Sequence, residues 1–160
     1  MPLMSRRKEY IGIDPGVGGG IAIAWGQDNI HQYKMPPTER EICDVFNGSM
    51  CDLVYSVAVI EKVHSMPKQG VASTFKFGMN YGFLRGCLIA AGIPFEEVTP
   101  RAWQKALGIP PKKKTESNTE WKNRLKGMAQ QLYPQLKVTL ATSDALLIAT
   151  YCKRKYEGTL

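Results

Sequence analysis

The sequence predicts an α/β fold, a central mixed five-stranded sheet flanked by helices, and three observations carry that prediction. The alternating run over residues 9–14 stops in Pro15-Gly16 and resumes after Gly18-Gly19-Gly20, as a strand does when it turns back on itself. Residues 53–61 are almost continuously apolar, the pattern of a parallel strand covered on both faces. Over residues 72–91 apolar side chains recur at spacings of three and four, which is helical. A chain of 160 residues supports one such domain with a full core and is too short for two. The expected organisation is a basic tail over residues 1–8, a single domain over 9–156 and a short tail over 157–160.

Taken in order, residues 10–25 read as a hairpin whose second arm is Ile21-Ala22-Ile23-Ala24-Trp25, and a third short strand fits 30–35. Pro36-Pro37 breaks it, and Thr38 with Glu41 three residues on is a capping box that starts a helix to about residue 50. The buried strand 53–61 follows, then a polar loop over 64–71 containing Pro67 and Gly70. On the long helix, Phe75, Met79, Phe83, Leu84, Cys87, Leu88 and Ala91 form the apolar stripe, while Gly78, Gly82 and Gly86 lie four apart and permit close packing against a sheet or a partner. Gly92 ends that helix, residues 93–98 make the fifth strand, and Pro100 opens a short helix through 107 with Trp103 on one face. Residues 108–118 are expected to form an exposed, mobile basic loop. A helix over 119–133 ends at Pro134, and a last helix, capped by Thr142 or Ser143, runs toward residue 156.

Hydrophobic residues at 44% and charged ones at 22% are globular composition and exclude disorder and low complexity. The net charge of +7 is the outlier, and it makes a polyanion the first partner to consider. No apolar segment precedes the basic cluster at the start, and no apolar run approaches the roughly 18 residues a membrane span needs, so a cytoplasmic protein with no membrane partner is expected. Cys43, Cys51, Cys87 and Cys152 make no CxxC pair, and His31 and His64 add no ligand spacing. Reduced core thiols are therefore expected, and no structural zinc.

Three carboxylates are placed for chemistry. Asp14 ends the first strand where glycines allow close backbone approach, a position equally compatible with plain turn chemistry. Glu61 ends a buried strand, where a charge persists when it is paired or bound to metal, or when it meets solvent at the strand end. Asp144 opens an apolar helix, where the helix dipole alone would favour it. Together, two neighbouring strand ends and a helix start can converge on one sheet edge, and hard divalent cations want such oxygen clusters. In two-metal phosphodiester cleavage one ion activates water and the other stabilises the leaving oxygen.

These residues resemble a known family. Ile11-Gly12-Ile13-Asp14-Pro15-Gly16 resembles the opening strand of RuvC-type Holliday junction resolvases, Ile60-Glu61-Lys62-Val63-His64 their second acidic motif, and Ser143-Asp144-Ala145-Leu146-Leu147-Ile148-Ala149 their closing helix. Residues 66–88, with Val98-Thr99-Pro100 and Trp103, look most like the phage and plasmid branch and are also similar to the chloroplast resolvase. The resemblance spans residues 10–152 and implies a ribonuclease H-like fold. It also implies a homodimer that binds a four-way DNA junction and nicks two opposed strands with Mg²⁺, or Mn²⁺ in its place, in the cytoplasm of a bacterial host if phage-encoded. Asp14, Glu61 and Asp144 take the places of the metal-ligating, catalytic carboxylates. One departure stands out: bacterial members carry a further acidic or histidine ligand three residues before the last Asp, where this chain has Ala141. A branch working with three carboxylates, a fourth ligand from elsewhere and an inactivating substitution all account for it, and we favour the first, since solvent or DNA phosphate can complete a magnesium shell.

By the same resemblance His64 stands where bacterial members place an aromatic that probes the junction centre; a ring there could stack on an exposed base, and a solvent-facing loop histidine is the plain alternative. Lys68, Gln69, Ser73 and Lys76 surround it as DNA-binding candidates, phosphate contact being the expected role of the lysines. Lys112, Lys113 and Lys122 join that set, and Lys114 is the nearest match to a lysine that assists catalysis in the chloroplast relative. Phe75, Phe77, Phe83 and Met79 are expected in the core or a dimer seam. Two other readings compete. Asp-Pro-Gly before three glycines also resembles the phosphate loop of actin and sugar-kinase ATPases, which need a second loop and a larger two-lobed body. A junction-binding protein with an incomplete metal site at Ala141 is the non-enzymatic alternative.

Overall fold

The computed structural model describes residues 6–50, 54–64 and 68–160. Strands β1 (Arg7–Asp14), β2 (Gly20–Trp25) and β3 (Asn29–Lys34) come first, then helix α1 (Glu39–Asn47) with a single 3₁₀ turn at Gly48–Met50. They are followed by β4 (Val54–Glu61), α2 (Val71–Ala90), β5 (Phe95–Val98), α3 (Pro100–Ala106), α4 (Asn118–Leu132) and α5 (Ser143–Glu157). The sheet order is β3-β2-β1-β4-β5. β1 pairs antiparallel with β2 and parallel with β4, so the sheet is mixed as the strand pattern requires.

Alternation along the strands sorts side chains into two cores. Ile11, Ile13, Ile21, Ile23, Ala58 and Ile60 face Ile42 and Phe46 of α1 and Leu84 and Leu88 of α2. Tyr10, Ala22, Ala24, Val57 and Val59 face Trp103 of α3, Leu125 and Ala129 of α4, and Ala145 to Ile148 of α5. Every residue of α5 from Ser143 to Cys152 is buried, which places this helix across the centre of the sheet.

Several local expectations are corrected. Arg7 and Lys8, expected in the tail, pair with Val54 and Tyr55. The first helix stops three residues early, because Gly48 begins the tighter turn. The helix from Val71 is not the amphipathic element its spacing predicts: only Leu84 and Leu88 are buried, while Phe75 and Met79 stand exposed. It is apolar nearly all round and the chain covers one stripe of it. The glycines at 78, 82 and 86 do not seat it on the sheet, since a Cβ added at any of them meets no atom within 4 Å. The basic loop is anchored rather than free: Arg124 donates to both Glu116 carboxylate oxygens, at 2.9 and 3.0 Å, and to the carbonyls of Pro110 and Pro111. Of the thiols, Cys152 is buried, but Cys43 and Cys87 are partly exposed; Cys51 lies outside the described residues.

Candidate active site

The register of β1 on β4 pairs Ile13 with Ile60, so the next residues, Asp14 and Glu61, end neighbouring parallel strands. Both share parity with the residues that face α5. α5 brings Asp144 to them by lying almost in contact with β1 at Gly12. A Cβ there would sit 2.1 Å from the Ala149 backbone nitrogen and 2.4 Å from the Ala145 carbonyl oxygen, so only glycine admits the helix. Glycine on the strand and alanines four apart on the helix are therefore what let the third carboxylate approach the first two.

The electrostatics of the cluster follow from burial. The Asp14 carboxyl is raised well above its ordinary range by burial first, then by the charges of Asp144 and Glu61, with Lys122 opposing. Glu61 is raised to about 7, again by burial and Asp144; the Trp103 indole and Lys122 hold it down. Trp103 Nε1–H donates to Glu61 Oε2 at 2.8 Å, so a fully buried indole finds its acceptor in the cluster. Lys122 Nζ donates to Asp144 Oδ2 at 2.7 Å. Burial pulls the Lys122 ammonium down, but Asp144, Asp14 and Glu61 outweigh it and its pKa rises.

One ammonium faces three carboxylates, and Asp144 Oδ1 is buried with no hydrogen-bond partner among the described residues. Among the described residues no group of three His, Cys, Asp or Glu side chains is arranged to grip a metal ion as it stands. The donor set is nonetheless all oxygen, carries excess negative charge and leaves a buried acceptor open, which fits a hard divalent cation of the magnesium class.

The other sequence candidates lie on the surface. His64, Lys68, Gln69, Ser73 and Lys76 are exposed, on the segment after β4 and the first turns of α2. Lys112 Nζ donates to Asn118 Oδ1, the Lys113 backbone N–H to Glu116 Oε2, and Lys114 is exposed on the same loop. Lys122, expected among the DNA-binding residues, is the lysine whose charge acts on Asp14 and Glu61. Sequence reasoning missed Asn80 on α2, whose Oδ1 accepts from the Gly16 backbone N–H at 2.7 Å while the Phe77 ring packs on Gly16. An asparagine in the middle of the apolar run from Phe77 to Leu84 was the available signal. The Trp103–Glu61 bond was also missed, although a tryptophan in a core always needs a partner for its N–H.

No family model and no curated protein matches the chain. Among solved structures it is similar to Thermus thermophilus RuvC in complex with a Holliday junction substrate, at 14% identity and a TM-score of 0.59, covering 95% of each chain. It is also similar to another Thermus thermophilus RuvC structure, at 16% identity and a TM-score of 0.58, covering 96% of this chain and 97% of that one. The protein therefore has the RuvC-like, ribonuclease H-like α/β fold.

Proposed function

We propose that the protein is a metal-dependent, structure-selective endodeoxyribonuclease that cleaves four-way DNA junctions as a homodimer, of the phage and plasmid kind its motifs resemble. The observation that carries this reading is the convergence of Asp14, Glu61 and Asp144, with an unsatisfied buried carboxylate oxygen, on the inner ends of two parallel strands. Support comes from the fold it shares with a protein that was solved on a Holliday junction substrate.

The three carboxylates would hold Mg²⁺, or Mn²⁺ in its place, which when bound supplies an activated water and stabilises the leaving oxygen. The chain's own residues do the rest. Trp103 fixes the orientation of Glu61, and Lys122 offsets charge that three buried carboxylates could not sustain alone. His64, Lys68, Gln69, Ser73, Lys76, Lys112 and Lys113 are the phosphate and base contacts of the proposal, with Lys114 positioned on the same loop to assist at the scissile phosphate. The uncovered stripe of α2, with Phe75 and Met79 exposed beside three unobstructed glycines, is the seam for the second copy.

The test uses fixed and mobile four-way junctions with Mg²⁺, mapping any nicks. Wild-type protein should nick opposed strands symmetrically, and Asp14→Asn should bind the junction without cutting; nicking retained in that variant removes Asp14 from the mechanism. A second reading, a junction-binding protein with an incomplete site, is favoured by Ala141 and by the ammonium already seated on Asp144. It predicts binding with the junction left intact in Mg²⁺, and cleavage gained on Ala141→Asp.

A further inference from the structure

We propose that Cys43 and Cys87 form a reversible disulfide site that pins α1 to α2. Their sulfurs lie 3.5 Å apart although the residues are 44 positions apart in the chain. A disulfide needs about 2.05 Å, so closure takes roughly 1.5 Å of movement shared by two side chains. Both thiols are partly exposed, whereas Cys152 is buried in the core, so a small reagent reaches the pair and not the third thiol. The pair lines a groove of about 520 Å³ rimmed by the exposed Arg40, Gly82 and Gly86, which gives the reagent its entry in the unpaired chain, before a second copy covers the two glycines.

The reaction is exchange with a small-molecule disulfide of the glutathione class. One of the two sulfurs, as thiolate, attacks one sulfur of the reagent, forming a mixed disulfide and releasing one thiolate. The other gives up its proton and displaces the second thiolate, so one reagent disulfide is consumed, two small thiols are produced, and one protein disulfide is formed. Burial and the neighbouring Cys43 push the Cys87 thiol up to about 12, so the pair stays protonated until the exchange partner arrives. The inference stands whether or not the carboxylates cut DNA.

The experiment incubates folded protein in a Cys51→Ser background with oxidised glutathione, measures intact mass, then blocks remaining thiols and maps cross-linked peptides. Expected are a loss of 2 Da, a peptide joining Cys43 to Cys87, and a Tm higher by on the order of 10 °C that dithiothreitol reverses. Cys43→Ser and Cys87→Ser should each abolish all three. The proposal is overturned if both thiols stay alkylatable at the highest oxidant concentration, or if the cross-link found involves Cys152.

Discussion

Lys122 Nζ stands 2.7 Å from Asp144 Oδ2, and the other oxygen of that carboxylate is buried without a partner among the described residues. The pair joins α4 to α5 at the point where both strand-end carboxylates arrive, so one cation on a half-exposed side chain serves three acids. Lys122→Met should lower single-turnover junction cleavage by about 10²-fold at saturating Mg²⁺ while junction affinity changes by no more than about threefold. A uniform loss of both would reduce Lys122 to a phosphate anchor.

The raised carboxyls set a pH dependence whose sign can be worked out. With Glu61 at about 7 in the folded protein against 4.5 ordinarily, and Asp14 raised as well, the folded state holds more protons than the unfolded state between those values. Metal-free protein should therefore lose stability as pH rises from about 4.5 to 7. Added Mg²⁺ binds the ionised form, so its stabilising effect should grow over the same interval. Thermal melts in EDTA and in Mg²⁺ at half-unit pH steps check both slopes; a metal-free Tm that rises through this window contradicts the assignment.

Gly12→Ala tests how the third carboxylate is delivered. Its methyl would meet the backbone of Ala145 and Ala149, which cannot rotate away, so destabilisation of more than about 3 kcal/mol is expected in urea. Gly12→Ala folding with wild-type stability would mean that α5 can ride further from β1 than the structure shows.

The exposed stripe of α2 makes a separable prediction. Among the described residues Gly82 has no neighbour within 4 Å of an added Cβ, so Gly82→Leu should leave the monomer fold intact. If two copies meet there, the same change should weaken self-association by about 10²-fold or more, read by sedimentation. Unaltered association places the seam elsewhere.

Much of the fold was legible because strand signals are local: Asp-Pro-Gly, the glycine run and the apolar 53–61 segment each state their own role. The carboxylates were legible for the same reason, as ends of recognisable elements. What escaped were relations between distant elements. The 64-residue separation of Gly16 and Asn80 carries no periodic signal, and neither does the 42-residue step from Glu61 to Trp103. The spacing of Phe75 and Met79 reads as core or dimer seam without deciding between them, because periodicity reports that a face is apolar and not what lies against it.

Asn80 holds the turn that follows Asp14, and it sits two helical turns before Cys87 on the same rigid rod. Whatever docks on α2 would therefore lie on the element that holds that turn. On the proposed function, and in a pair of chains joined along this helix, the rod would act as a ruler: the distance between two cutting centres would be dictated by helix packing rather than by the DNA, and a junction would be accepted or refused by whether its arms can spread to that span.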